Sequence, residues 1–231
     1  MLLFLTSIFA IEALAVPEGV ENITILSSER RTGPTPVNIT AQGGNISRLA
    51  IVSRRQTGAW QGFSGNISGS LVLDDASGDR FYLWNITNIS GEIYASRNGT
   101  LSFATIFPVN NCTTDEIFTG GGADRVSRTY FNNTNTVNFS VGTVAINSST
   151  ACSARPFINS TQAATNLFEN IILTNEAFGN VTATLNTSIY AGIVQGTSIN
   201  GFDGQHYNFQ LLVPVNRTSG FTTYFFYAEL D

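Results

Sequence analysis

Residues 71–84 read LVLDDASGDRFYLW. Two largely apolar runs, 71–73 and 80–84 (led by Arg80), flank a cluster of Asp, Ser and Gly that breaks regular structure and favours a tight turn. This is a hairpin signature, and the same punctuation recurs in both directions along the chain. Working outward, strands are predicted over 22–27, 46–52, 68–73, 80–84, 91–95, 101–107, 128–131, 136–146, 180–186, 188–194, 207–213 and 222–230. The last of these belongs to an aromatic run at 221–230 (FTTYFFYAEL), read as a buried strand closing the fold. One segment breaks the rule: at 162–173, Ala163, Ala164, Leu167, Phe168, Ile171 and Ile172 recur at helical spacing and predict a short helix. The expected fold class is all-β, a β-sandwich of roughly ten to twelve mostly antiparallel strands.

The chain has 231 residues, enough for one large β-domain, and 42% of them are hydrophobic. Only 12% are charged, about half the usual share of roughly 25%. There are 11 Arg, 16 acids and no Lys, for a net charge of -5. Such a balance offers no basic face for nucleic acid or anionic lipid. Something other than charge has to keep this surface in solution.

Asparagine supplies it. Of 23 Asn, 15 begin Asn-x-Ser/Thr: Asn22, Asn38, Asn45, Asn66, Asn85, Asn88, Asn98, Asn111, Asn132, Asn138, Asn147, Asn159, Asn180, Asn186 and Asn216. Random placement of the same residues would give about five. The threefold excess, spread along the whole chain, points to N-glycosylation and therefore to export. The middle residue is apolar in eight of them: Ile23, Ile39, Ile46, Ile67, Ile86, Ile89, Phe139 and Val181. On a strand, Asn and Ser/Thr share one face and the middle residue takes the other. The pattern thus predicts strand-borne glycan sites with an inward apolar residue. Asn85 and Asn88 lie three apart, so a turn or bulge is expected between them.

Cys112 and Cys152 are the only cysteines, consistent with one disulfide in an oxidising compartment. Closing that loop would stabilise the fold by roughly 4 kcal/mol in the chain-entropy treatment. A bridged cysteine inside the Asn111 sequon would hinder glycosylation there. Residues 1–16 (MLLFLTSIFAIEALAV) are too short for a comfortable membrane span, and no Lys or Arg precedes the apolar run. They read either as a removable secretory signal or as an apolar filament-core segment, helical over 1–15. Contact with a membrane is expected only transiently, through these residues. The organisation read from the sequence is an apolar segment at 1–16, an extended strand and connector at 17–36 (stiffened by TGPTP at 32–36), and a glycosylated β-sandwich at 37–231.

No catalytic set emerges. His206 is the sole histidine, and no GxSxG elbow accompanies it. Asp74, Asp75 and Asp79 are chemically able to ligate calcium but lack the spacing of a full calcium loop, and Asp and Gly are equally ordinary turn residues. The run at 120–122 (GGG) lacks phosphate-loop spacing. Trp60 and Trp84 are candidates for stacking on a sugar or for the core. The expectation is a protein without catalytic residues, metal or cofactor.

The stretch WQGFSGNISG at 60–69, followed by LVLDDASGDRFYLW and GEIYAS at 91–96, resembles secreted, sequon-rich β-domain proteins of archaeal cell surfaces. That resemblance implies an extracellular location and no enzymatic role. A looser one, carried by the apolar N-terminus and the sequon density, is to glycosylated subunits of archaeal pili and related filaments. The apolar segment is shorter than a pilin N-terminal helix and contains Glu12. A strand over 22–28 that adds to a neighbour's sheet edge is the other route to assembly. The expected function is a structural subunit of an extracellular filament or surface coat, with copies of itself and covalent N-glycans as partners. The alternative is a monomeric secreted glycan-binding or adhesion domain.

Overall fold

A computed structural model describes residues 16–112, 126–130, 135–163, 167–175, 187–216 and 220–230. The described chain is all-β, and every strand pairing within it is antiparallel. In chain order the elements are β1 (Glu18–Gly19), β2 (Trp60–Gly65), β3 (Ser70–Asp74), β4 (Arg80–Asn85), β5 (Gly91–Ser96) and β6 (Phe107–Pro108). A single helical turn, α1 (Val126–Thr129), precedes β7 (Phe139–Val141), β8 (Val144–Ile146), β9 (Ser153–Ala154), β10 (Phe157–Ile158) and β11 (Thr161–Gln162). Then come β12 (Asn170–Thr174), β13 (Ser188–Val194), β14 (Ile199–Asn200), β15 (His206–Tyr207), β16 (Phe209–Pro214) and β17 (Phe225–Leu230).

The main sheet runs β1-β17-β5-β13-β12-β6, with β9 also pairing β12. Its central strands β5, β12 and β13 are buried almost end to end, because both faces of the sheet are covered. On one face, Ile93, Ala95, Ile172, Tyr190 and Val194 meet Leu211 and Val213 of the β2–β16 ribbon. On the other, Tyr94, Ile171, Leu173, Ile189 and Ala191 meet Phe103, Ile106, Val141 and Ile146, the last two from the β7–β8 hairpin. Successive residues along each central strand serve opposite cores, so the apolar run needs no alternation. Gly91 lets β17 approach: it has φ 121°, and a Cβ there would strike the Glu229 carbonyl. The Cys112–Cys152 disulfide is formed, with Cα atoms 5.6 Å apart.

Several expectations are corrected. The described residues of 162–173 hold no helix: β11 ends at Gln162, and 170–174 form the buried strand β12, while 164–166 lie outside the described residues. A doubly buried strand carries adjacent apolar residues, here Ile171 to Leu173, and so matches a helical template by accident. In the described part of the strand expected at 128–131, residues 128–130, α1 ends instead, closed by the Tyr130 N–H donating to the Val126 carbonyl at 2.7 Å. Of 101–107 only Phe107 is in a strand, and 136–146 is divided into β7 and β8 by a turn at Gly142 (φ 55°). The described strands number seventeen, seven of them only two residues long, where ten to twelve were expected. The strand expected at 180–186 and the helix expected at 1–15 lie outside the described residues.

Residues 22–27 and 46–52 form no strand. They belong to an excursion, residues 20–57, that carries no ladder pairing and is exposed at every residue from 21 to 56. The unpaired stretch thus runs past the expected boundary at 36 and nearly reaches β2.

Candidate assembly surface

The excursion is held at both ends. Before it, β1 pairs with β17, and the Val20 N–H donates to the Phe226 carbonyl at 3.3 Å. After it, the Val215 N–H donates to the Ala59 carbonyl at 2.7 Å, where β2 begins alongside β16. Between these anchors the chain reverses at Gly43–Gly44. Gly44 has φ 84°, and the Asn45 N–H donates to the Gln42 carbonyl at 3.3 Å. Arg30 and Arg31 line the same cavity of about 850 Å³ as Arg54 and Arg55, so the two legs come near each other there. Along the legs Ile23, Ile25, Leu26, Val37, Ile39, Ile46, Leu49, Ile51 and Val52 all face solvent. These side chains have the composition of strands without the neighbours that would make them so.

The second unpartnered element is the β3–β4 hairpin. Its register pairs Leu71 with Trp84, Val72 with Leu83 and Leu73 with Tyr82, with an irregularity at Leu73/Asp74. It forms a two-stranded sheet of its own, so each strand has a free outer edge. Leu71, Leu73, Tyr82 and Trp84 share one face, and Trp84 remains 61% exposed. Val72, Leu83 and the Ser70–Asn85 pair share the other. The tip is built by its acids. Asp75 Oδ1 accepts from the Ser77 and Asp79 N–H groups at 2.8 and 2.9 Å, Gly78 supplies φ 84°, and Arg80 grips Asp74 through Nε and Nη2 at 3.2 and 3.3 Å. That ion pair raises the Arg80 pKa, first through its hydrogen bond to Asp74, with Glu21 of the excursion adding attraction. Asp74 and Asp75 thus serve as turn builders.

The structure sorts the asparagines. Asn22, Asn38, Asn45, Asn66, Asn85, Asn88, Asn138, Asn147 and Asn159 are exposed, and Asn98, Asn111 and Asn216 are half-buried. Asn132, Asn180 and Asn186 lie outside the described residues. The two buried asparagines described, Asn135 and Asn170, head no sequon. Asn135 uses its whole amide inside the fold: Nδ2 donates to the Val137 and Asn147 carbonyls, and Oδ1 accepts from Thr150 and Ala151. The sequons sit mostly at strand ends and in loops: Asn66 follows β2, Asn85 ends β4, and Asn138 precedes β7. This corrects the strand-borne reading. Ile67, Ile86, Ile89 and Phe139 do turn inward, whereas Ile23, Ile39 and Ile46 on the excursion do not. The bend expected between Asn85 and Asn88 is present at 87–88.

The remaining candidates are scattered. His206 opens β15, exposed and paired in register with Asn200, and its side chain hydrogen-bonds to no described nucleophile or carboxylate. Trp60 is half-buried against Tyr130, with ring centroids 5.7 Å apart, so it belongs to the core. The GGG run at 120–122 lies outside the described residues. One pairing the sequence could not reveal is Glu92 opposite Glu229 on β5 and β17, both buried beside a cavity of about 390 Å³. The two are far apart in sequence, so no local motif announces them. No group of three or more metal-ligating side chains occurs among the described residues. No family model, curated protein or solved structure matches the chain.

Proposed function

We propose that this protein is a non-enzymatic structural subunit of an extracellular, N-glycosylated filament or surface coat of archaeal type, assembled from copies of itself. The excursion at 20–57 carries the reading. It combines strand-like composition, unused backbone hydrogen-bonding groups and nine exposed large aliphatic side chains. Each such side chain forfeits about 1.5–3 kcal/mol while it stays in water. A monomer gains nothing from that arrangement, whereas a polymer recovers the loss at every junction through strand addition. The exposed sequons support a sugar coat over a surface with few charges, and residues 1–16 serve export or the assembly core. Electron microscopy and intact mass of native material test the proposal together. Ordered polymers of a subunit heavier than its 24.9 kDa polypeptide are expected. Isolated, unmodified monomers would overturn it.

A second reading, a monomeric secreted glycan-binding or adhesion domain, is favoured by one observation. Tyr82 and Trp84 stand exposed on a single face of β4, as in a stacking platform for sugar rings. Carbohydrate binding by monomers that Trp84→Ala abolishes would select this reading instead.

A further inference from the structure

We propose that the Leu71–Leu73–Tyr82–Trp84 face of the β3–β4 hairpin is the docking surface for the 20–57 excursion of a second copy of this chain. The inference rests on the self-assembly reading and names the two surfaces that meet. Four observations converge on it.

The first is mutual need. A two-stranded hairpin is only marginally stable in water on its own. This one exposes Leu71, Val72, Leu73, Phe81, Tyr82, Leu83 and Trp84, with Phe81 87% exposed. The excursion is the complementary case, with apolar legs that have no sheet to join.

The second is charge. The excursion carries Arg30, Arg31, Arg48, Arg54 and Arg55 against Glu21 and Glu29, a net +3. The chain from residue 58 onward carries six Arg against twelve acids. The hairpin tip concentrates Asp74, Asp75 and Asp79 beside Arg80. The four arginines lining one cavity form a basic patch, against the expectation from overall composition, and have an acidic counterpart at the end of the proposed docking face.

The third is the placement of sugars. Asn85 lies on the Val72–Leu83 face, which leaves the Leu71–Leu73–Tyr82–Trp84 face free of sequons. Along the excursion Asn22 and Asn38 alternate with Ile23, Ile25, Val37 and Ile39. Laid in extended form across the docking face, the leg at 22–39 would turn these apolar residues toward it and Asn22 and Asn38 away from it.

The fourth is tethering. Both ends of the excursion are fixed on its own domain, so its reversal at Gly43–Gly44 is the part free to reach outward. Gly43 and Gly44 carry no side chain to obstruct that approach, and a Cβ at either would stand in open space.

The test is a charge exchange in the full-length glycosylated protein, followed by sedimentation velocity at low and high salt. Asp79 is chosen because its side chain builds no described part of the turn. Asp79→Arg alone, and Arg54→Asp with Arg55→Asp, are each expected to weaken association by about tenfold or more. Mixing the two variants is expected to restore it, as is combining all three substitutions in one chain. Wild-type association that Asp79→Arg leaves unchanged, or loss that the mixture fails to repair, overturns this docking surface while leaving the polymer reading standing. Repair in the triple-substituted chain but not in the mixture shows the excursion folding onto its own hairpin and also overturns the proposal. Wild-type protein that never associates at any concentration overturns both readings.

Discussion

The Glu229 carboxylate on β17 accepts a hydrogen bond from the Tyr94 hydroxyl on β5 at 3.0 Å. Its other oxygen accepts from the Gly142 N–H at 2.8 Å, in the turn between β7 and β8. One buried acid thus ties the last strand to the sheet centre and to the hairpin that covers its second face. In register, Glu92 stands directly opposite.

Glu229→Ala leaves a buried hydroxyl and a buried backbone N–H without their acceptors. The expected loss is about 3 kcal/mol, since an orphaned buried donor costs far more than an average hydrogen bond contributes. Glu229→Gln keeps the shape and an acceptor oxygen and is expected to lose less. Urea midpoints at constant m-value measure both. An Ala variant as stable as the parent would show that the sheet does not depend on this carboxylate.

Alkaline pH is expected to unfold the protein through three tyrosines. Tyr130, Tyr190 and Tyr224 form a chain of rings with centroids 6.3 and 6.1 Å apart. The Tyr130 and Tyr224 hydroxyls donate to the Leu212 and Pro214 carbonyls at 2.9 and 2.8 Å. Burial, above all, raises each phenol above its ordinary value, and Arg97 over the Tyr224 ring offsets part of that shift. The unfolded chain loses these protons near pH 10, while the folded chain keeps them. Stability is therefore full below about pH 10 and falls as pH climbs beyond it. Tyrosinate absorbance should rise for these groups only together with unfolding. Tyr130→Phe should flatten that decline at a cost of about 1 kcal/mol at neutral pH.

The disulfide holds the rim of the sheet. Cys152 donates its N–H to the Val109 carbonyl at 2.6 Å and accepts from the Ile172 N–H at 3.0 Å, so the bridge fastens Cys112 beside β12. Replacing both cysteines with Ala is expected to cost about 2–4 kcal/mol. The check is a lowered Tm that reductant no longer changes. An unaltered Tm would contradict it.

The sequence disclosed the fold where one residue's surroundings follow from its neighbours. The 71–84 hairpin was legible because Asp75 and Gly78 build a turn from local bonds alone. So was β13, whose apolar run is bounded by polar residues. Ile171 and Ile172 misled because they face opposite cores, and only the tertiary structure reveals the second one. At 22–27 and 46–52 the composition favoured strands, but a strand is a relationship between two segments, and neither of these pairs with another described one. The acids around Glu229 were invisible for a similar reason, since β5 and β17 meet only after folding. Among the sequons, solvent exposure was foreseeable and their place at strand ends was not, because Asn-x-Ser/Thr reads the same inside a ladder and just beyond it.

A polymer joined through residues 20–57 would carry traction in an unusual way. The linking segment is a closed loop whose two roots lie on different sheets, β1 beside β17 and β2 beside β16. A pull from the next subunit would divide between those roots. Neither pairing would have to bear the full load, and the two-residue one could peel while the six-residue one held.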